Sequence, residues 1–189
     1  MDDLFLHACC GPCATVSVPA WRSEGVEPRL WFWNPNVQPE VEHERRRAGL
    51  ERYAAAEHVA VIVEDRTTPG SEWRAWAASL QATPPEARCA TCLRLRMAEA
   101  AVAAVAADAT RFSTTLSVSP YQRHDLIRVA GAAAADEHGL QFVYLDLRAR
   151  FRESHAESRR LGLYRQQYCG CAASKWEAWN ERRARKVAG

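Results

Sequence analysis

The sequence predicts an α/β fold, in which a parallel sheet of about five strands is flanked by helices. Short apolar runs alternate along the chain with longer amphipathic stretches. This alternation is typical of parallel sheets, because each helix carries the chain back across one face of the sheet. At 189 residues the chain is expected to form a single domain, 1–189, with a helical segment from about residue 148.

The strands are predicted from short runs of β-branched and aromatic residues bounded by turn formers. Five such runs occur, at residues 4–6, 29–33, 59–63, 110–116 and 141–145. The third run, VAVIV, is expected to be buried on both faces, as strands inside parallel sheets usually are.

Helices are predicted between and after these strands. They begin at about residue 14 and then cover about 41–56, 72–81, 89–107 and 122–138, followed by the helical tail. Pro19 is compatible with the first helix only in its first turns. Gly139 is expected to cap the helix before it in a left-handed conformation.

Composition narrows the class of protein but does not identify it. The formal charge is +2, and Lys175 and Lys186 are the only lysines among 25 basic residues. The arginine excess suits phosphate binding, although a codon bias across a genome would produce it equally well. The N-terminus has no basic leader, and no apolar run approaches the ~20 residues of a membrane span. We therefore expect a cytoplasmic protein that does not enter the membrane.

The seven cysteines fall into three groups. These are Cys9, Cys10 and Cys13, then Cys89 and Cys92, then Cys169 and Cys171. The first group follows the first predicted strand, at the sheet edge where ligands bind, and a helix N-terminus lowers thiol pKa values there. Without a secretion signal a disulfide framework is not expected. The grouping favours a metal or cluster site over structural thiols or a dithiol redox pair.

The number of thiols restricts what they can hold. One tetrahedral zinc needs four ligands, which leaves three cysteines over. A cubane iron–sulfur cluster takes up to four thiolates, so three would remain for a second metal with an acid or His7. Asp146, at the end of the fifth predicted strand, is one such acid, but it could equally be a surface acid paired with Arg148 or Arg150. The spacing alone does not divide the cysteines between two centres.

Five motifs together resemble the QueH family of epoxyqueuosine reductases. They are HACCGPC at residues 7–13, WNPN at 33–36, RCATC at 88–92, TTLSVSP at 114–120 and YRQQYCGC at 164–171. They occur in order over nearly the whole chain. One departure is Gly11, where the family more often has alanine, and this difference is expected to matter little.

The resemblance implies removal of the epoxide oxygen from epoxyqueuosine at the tRNA wobble position, which gives queuosine. It implies a 4Fe-4S cluster, an additional iron nearby and no cobalamin. It also implies a Rossmann-like fold similar to the adenine nucleotide alpha hydrolases. Residues 9–13 replace the glycine-rich phosphate loop of ATP-using members of that group, so no ATP use is expected. The partners implied are tRNA carrying epoxyqueuosine and an external electron donor such as a ferredoxin or flavodoxin.

The resemblance also suggests roles for individual residues. The cluster is expected on Cys9, Cys89, Cys92 and Cys169, and the second iron near Cys10, Cys13 and Cys171, with Cys10, Cys13 and Asp146 as catalytic residues. Asn34, Asn36, Ser119, Arg165 and Tyr168 are expected to contact substrate or tRNA. The tail arginines would meet phosphates, and Trp33 or Tyr168 could stack on the base, although Trp33 could equally belong to the sheet core.

Three other functions fit parts of the pattern. A cluster-dependent tRNA sulfurtransferase would share the fold but would need ATP, and its phosphate loop is missing here. A zinc-stabilised RNA-binding module would use the thiols without catalysis. A thiol–disulfide oxidoreductase would use Cys89 and Cys92 without metal.

Overall fold

The computed structural model describes residues 2–64 and 70–187. Five strands occur in this part of the chain: β1 (Asp2–His7), β2 (Val26–Phe32), β3 (Val61–Val63), β4 (Arg111–Thr114) and β5 (Gln141–Phe142). The helices are α1 (Gly11–Ser23), α2 (Glu40–Glu57), α3 (Ser71–Ser79), α4 (Pro85–Ala106), α5 (His124–His138), α6 (Phe151–Arg160) and α7 (Ala172–Val187). Short 3₁₀ helices cover Thr115–Val118 and Arg148–Arg150.

The strands form one parallel sheet in the order β3-β2-β1-β4-β5. The strand β1 is central, and its last residue, His7, lies beside Trp31 of β2 and Thr114 of β4. The chain leaves β1 toward β2 on one side and returns to β4 on the other, which makes a topological switch point at the carboxyl ends of β1 and β4. Ligands of open α/β sheets bind at such a point. The predicted Rossmann-like α/β fold is confirmed.

The two edge strands differ from their prediction. The strand β3 begins only at Val61, and Ile62 is 37% exposed, so the expectation of a strand buried on both faces was wrong. Since β3 pairs with β2 alone, one of its sides lacks a neighbouring strand. The strand β5 ends at Phe142, three residues before the predicted end.

Helices cover both faces of the sheet. On one face Phe5, Trp31 and Phe112 pack in the layer that contains Met97 of α4 and Ile127 of α5. On the other face most of the buried residues belong to β1 and β2 and to the helices α1 and α2; they include Leu4, Leu6, Leu30, Leu50 and Tyr53. The alternation of Leu4, Phe5 and Leu6 between these two layers follows the two-residue period of a strand.

Two helices begin earlier than predicted. The helix α1 starts at Gly11, so Pro19 lies in its third turn and not in the first turns. The helix α4 starts at Pro85 because proline is well suited to a first helical turn. Cys89 and Cys92 therefore lie in the second turn of α4, where their spacing of three residues places them on one face of the helix.

The C-terminal part is helical, as predicted. The helices α6 and α7 are joined by a non-helical stretch, residues 161–171, that carries Cys169 and Cys171. Gly139 ends α5 with φ 67°, which confirms the predicted left-handed cap. None of the helices in the described parts of the chain combines the length and apolar character that crossing a bilayer requires.

Candidate metal centre and substrate cavity

The first cysteine group lies at the switch point, where the turn after β1 is held from both sides. The backbone N–H of Cys9 donates a hydrogen bond to Thr115 Oγ1 at 3.1 Å, across from β4. Asn34, after β2, donates from Nδ2 to the carbonyl of Ala8 at 3.0 Å. Thus the turn that carries the thiols is fixed by polar side chains that follow its two neighbouring strands.

Cys9, Cys10 and Cys13 form a compact and buried thiol triad. Their three Sγ atoms lie within 4.8 Å of one another, and Cys9 Sγ is 3.5 Å from Cys10 Sγ. Gln166 Nε2 donates to Cys10 Sγ at 3.0 Å, and Thr115 Oγ1 donates to Cys9 Sγ at 3.4 Å. This cluster could bind a metal ion, since three soft sulfur ligands converge on one point.

The three thiols differ in acidity because they share one small, buried site. Hydrogen bonds from Cys10 and Cys13 hold the pKa of Cys9 well below its ordinary value. Burial raises the pKa of Cys10 to about 12, and the hydrogen bond with Cys10 raises the pKa of Cys13. The triad therefore favours a single thiolate in the metal-free protein. A bound cation would displace the remaining protons, as metal binding generally does.

Helices α1 and α2 approach closely beside the triad. A Cβ added to Gly11 would lie 2.5 Å from the carbonyl oxygen of Gly49, which is a backbone atom in the middle of α2. The expectation that alanine at position 11 would matter little was therefore wrong for this chain. Glycine at position 11 is what permits this approach between the two backbones.

The other four cysteines line a separate cavity of about 240 Å³. Its thiols are Cys89 and Cys92 from α4 and Cys169 and Cys171 from the stretch before α7. Burial raises the pKa values of Cys89 and Cys92, so both are protonated in the absence of metal. All seven cysteines are free thiols.

A buried arginine holds the 169–171 segment against α2. Arg46 donates to the carbonyls of Cys169 at 2.8 Å and Tyr168 at 2.9 Å, and its Nε donates to Glu42 at 2.8 Å. Gly170 adopts φ 152° and leaves no room for a Cβ, which would lie 2.9 Å from Asn36 Nδ2. The chain therefore bends at Gly170, and this bend brings its two cysteine neighbours to the cavity.

A second buried arginine lies between the two thiol groups. The positive charge of Arg96 opposes the burial that raises the pKa of Cys92, and it adds to the hydrogen bonds from Cys10 and Cys13 that lower the pKa of Cys9. Its Nη2 donates to Asn34 Oδ1 and, at 3.3 Å, to His7 Nε2. The Nδ1–H of His7 must then be the donor to Thr114 Oγ1, at 2.8 Å. Both ring nitrogens of His7 are therefore occupied within the protein, and burial lowers its pKa to about 3.

Several buried polar atoms of residues that line the cavity have no hydrogen-bond partner among the residues that the structure describes. Asn36 Oδ1, Arg88 Nε and Arg96 Nε are in this state, and all three residues line the cavity. An unmet buried polar group costs roughly 1–3 kcal/mol. Such a concentration of unpaired groups is expected where a ligand completes the site.

The structure groups the thiols differently from the predicted division. Cys9 lies with Cys10 and Cys13, whereas Cys171 lies with Cys89, Cys92 and Cys169. Asp146 does not join either group. Its carboxylate is 43% exposed and pairs with Arg148 at 2.5 Å, which is the surface pairing that the sequence left open. This ion pair lowers the pKa of Asp146 to about 2.

The residues predicted to contact substrate occupy different environments. Asn36 lines the cavity, whereas Asn34 is fully buried and orients Arg96. Ser119 accepts at its carbonyl from His124 at 2.8 Å. Tyr168 OH donates to the carbonyl of Gln38. Arg165 is exposed and lies 3.2 Å from His155.

Trp33 belongs to the core, which was the alternative interpretation. Its ring stacks on Trp31 at 5.8 Å and meets the edge of Trp73 at 5.5 Å. The burial of Arg46, Arg88 and Arg96 was not predicted from the sequence. Their position within helices gave no signal, since arginine in an amphipathic helix usually faces water. The tryptophans of α7 were also missed, although their three-residue spacing indicates a shared helix face.

The chain is similar in sequence to known proteins over nearly its whole length. A family model described as epoxyqueuosine reductase QueH matches residues 4–177. A protein of that name from Dehalococcoides mccartyi is 32% identical over 178 residues, which cover 94% of this chain and 95% of that protein. Another from Thermotoga maritima is 28% identical over 183 residues, with coverage of 94% and 92%.

A solved structure shares the fold. It is that of a predicted subunit of a tRNA methyltransferase from Methanocaldococcus jannaschii, with a TM-score of 0.53 and 13% sequence identity. The likeness covers 84% of this chain and 75% of the other. At this identity it supports the α/β architecture alone.

Proposed function

The chain belongs to the QueH family of epoxyqueuosine reductases, and on that premise we propose that it removes the epoxide oxygen of epoxyqueuosine at the tRNA wobble position. The reaction takes up two electrons and two protons, breaks both carbon–oxygen bonds of the epoxide, and yields the alkene of queuosine and water. The main observation behind this proposal is that the seven cysteines form two clusters, one of three and one of four, at the carboxyl edge of the sheet.

We propose that Cys89, Cys92, Cys169 and Cys171 hold a 4Fe-4S cluster, because four thiols lining one cavity match the ligand number of a cubane. Cys9, Cys10 and Cys13 would hold an additional iron. When bound, these groups supply single electrons and a Lewis acid for the epoxide oxygen. This division of the ligands differs from the one expected from the sequence.

The chain's own residues prepare the site for negative charge. Arg88 and Arg96 are buried beside the cavity, where their guanidinium groups offset the charge of the thiolates. Gln122 Nε2 donates to Cys169 Sγ at 3.4 Å, and Gln166 Nε2 to Cys10 Sγ at 3.0 Å. Hydrogen bonds to sulfur are one of the means by which proteins adjust the potential of a sulfur-ligated metal.

Contacts with the substrate follow from exposure and position. Asn36 lines the cavity, and its buried Oδ1 has no partner among the described residues, so it would accept a hydrogen bond from the modified base. Exposed Arg165 would meet a phosphate of the anticodon loop. Asn34, Ser119 and Tyr168 would act indirectly, since each is engaged with the protein itself.

The proposed reaction needs partners that supply RNA and electrons. A tRNA substrate implies work in the cytoplasm, and a ferredoxin or flavodoxin would supply single electrons. We propose that neither cobalamin nor ATP takes part. In support of the absence of ATP, Pro12 in the first turn of α1 has no N–H, and the N–H of Cys9 is already bound to Thr115. A phosphate-binding loop depends on several free backbone N–H groups.

The proposal is tested with tRNA that carries epoxyqueuosine. Anaerobically prepared protein loaded with iron and sulfide is mixed with this tRNA and dithionite, and the nucleosides are then analysed by mass spectrometry. We expect the modified nucleoside to lose the mass of one oxygen atom, without ATP. The same reaction with Cys92→Ser should give no product.

The rival functions predict other results. A sulfurtransferase would require ATP and would add sulfur to a nucleoside. A zinc-stabilised RNA-binding module would give colourless protein and unchanged tRNA. A thiol–disulfide oxidoreductase would remain active toward disulfides after complete removal of metal. Any of these results, with no deoxygenated nucleoside, would overturn the proposal.

A further inference from the structure

The last helix, α7, presents two stacked indole rings to solvent. Trp176 is 61% exposed and Trp179 is 40% exposed, and their ring centroids lie 4.9 Å apart with planes inclined by 25°. The guanidinium of Arg183 lies 4.6 Å from the centroid of the Trp179 ring and extends the stack. The family match ends at residue 177, so Trp179 and Arg183 lie beyond the part of the chain that the family model matches.

These indoles form one wall of a groove of about 670 Å³. The groove is lined by Gln38, Pro39, Ala172, Lys175, Trp176, Trp179 and Arg182. Its two charged lining residues are both basic, and most of its other lining residues are aromatic or apolar. Binding sites for single-stranded nucleic acid combine these two features, since cations follow the backbone and aromatic faces stack on bases.

The groove and the cysteine cavity are placed close together by one helix. The first two turns of α7 contribute Ser174 and Glu177 to the cavity, and Lys175 and Trp176 to the groove. The groove lining also includes Gln38, whose carbonyl accepts a hydrogen bond from Tyr168, next to Cys169. An α-helix is about 10 Å across. A strand bound in the groove therefore lies within a few nucleotides' reach of the thiols.

The helix α7 carries a net positive charge, and two of its basic residues, Lys175 and Arg182, line the groove. The helix has five basic residues, Lys175, Arg182, Arg183, Arg185 and Lys186, against two acids, Glu177 and Glu181. Both acids have basic neighbours: Glu177 lies 2.6 Å from Arg88, and Glu181 lies 3.9 Å from Arg185. The remaining positive charge suits a polyanion.

We propose that this groove binds single-stranded RNA, namely the anticodon-loop nucleotides that flank the wobble position. Their bases stack on Trp176 and Trp179, and their phosphates contact Lys175 and Arg182. The wobble base is thereby left to turn into the cysteine cavity, as bases do in enzymes that modify them. The inference rests on the proposed function, since it takes tRNA as the substrate.

The affinity for RNA tests the stacking directly. The probe is a fluorescently labelled RNA hairpin with the anticodon loop of a tRNA substrate, bound to metal-loaded protein and measured by anisotropy. Base–aromatic stacking contributes about 1–3 kcal/mol per base, so Trp176→Ala and Trp179→Ala should each weaken binding by roughly 5- to 150-fold. Trp179→Phe should retain most of the affinity. A matched control is Val129→Ala, which truncates an apolar residue that is 69% exposed on α5.

Salt dependence tests the phosphate contacts. Lys175→Gln and Arg182→Gln should each reduce the slope of log K against log salt concentration by roughly 0.7. Arg22→Gln removes the same charge at the far end of α1, where Arg22 pairs with Glu27, and should leave the slope unchanged. Circular dichroism melting curves confirm that each variant is folded, which is expected because the groove residues are largely exposed.

The outcomes separate this inference from the proposed function. Unchanged affinity in the Trp176→Ala/Trp179→Ala double variant would overturn the groove assignment, even if the enzyme reduces modified tRNA normally. Equal affinity for a fully paired RNA duplex would overturn the single-strand claim. Altered self-association in the double variant with unchanged RNA binding would show a protein interface instead. If the parent protein has no reductase activity but binds RNA, and the double variant loses this binding, the result would support the groove assignment and refute the proposed reaction.

Discussion

Replacing Gly11 with alanine should disturb both the stability of the fold and the thiol triad. The new Cβ would lie 2.5 Å from the Gly49 carbonyl oxygen, whereas ordinary contacts of this kind begin at 3.4 Å. The helices α1 and α2 would have to separate by roughly 0.9 Å, because the opposing atom belongs to the backbone and has no rotamer to change. Cys10 and Cys13 lie on either side of the substitution, so their sulfurs should shift with α1.

The size of the effect follows from two opposing contributions. Overpacking costs typically about 1–3 kcal/mol, and a backbone contact belongs in the upper part of that range. The higher helix propensity of alanine offsets at most about 1 kcal/mol of this loss in stability. A net loss of roughly 1–2 kcal/mol should lower the midpoint of thermal unfolding by roughly 2–8 °C in a chain of this size.

Calorimetry and metal analysis of the same anaerobic sample check this prediction. Gly11→Ala should unfold at a lower temperature than the parent protein. It should also retain less of the additional metal ion, which is the metal not accounted for by the iron–sulfur cluster. Gly70→Ala is the matched control, because no described residue lies within 4 Å of a Cβ at that position. Its metal content should not change, and its stability should fall by at most about 1 kcal/mol, the cost of alanine in place of glycine at the N-cap of α3. If Gly11→Ala melts and binds metal like the parent protein, the close approach of α1 and α2 does not constrain the site.

Three further predictions concern charged residues. Arg46→Met leaves the Glu42 carboxylate buried without its ion pair, so urea titration should show a loss of roughly 3–5 kcal/mol, and the double variant Glu42→Gln/Arg46→Met should recover part of it. Asp146→Asn breaks only the exposed pair with Arg148, so metal content should stay constant, and a loss would restore Asp146 as a ligand. Burial raises the pKa of Glu99, so the ionised carboxylate destabilises the folded protein. Glu99→Gln should therefore raise the melting midpoint at neutral pH, and this gain should shrink as the pH falls toward about 4, where the carboxyl group becomes protonated. A gain that does not depend on pH would contradict this.

The sequence was most informative where neighbouring residues share one role. The three cysteine groups could be predicted as ligands because two or three sulfurs lie within five residues, so short local structure already brings them together. The parallel sheet followed equally well from the alternation of strands and helices. Local pattern did not reveal that the run containing Ile62 is an edge strand, because that depends on which strand lies beside it.

The assignment of cysteines to two sites depends on long-range contacts that spacing does not encode. Cys171 joins Cys89 and Cys92 because Arg46, more than a hundred residues away, holds the preceding carbonyls. Cys9 stays with Cys13 because both flank the start of α1. The sequence likewise could not show that Arg96 is buried, since this follows from its hydrogen bonds to His7 and Asn34.

The most direct test of the account is iron and inorganic sulfide analysis of anaerobically prepared protein and two cysteine variants. The parent protein should hold about four irons with about four sulfides, and about one further metal ion. Cys171→Ser should lose the sulfide and the brown colour but keep the further metal, whereas Cys9→Ser should lose only that metal. Sulfide lost from Cys9→Ser and retained in Cys171→Ser, or a parent protein without sulfide, would contradict the two-site arrangement.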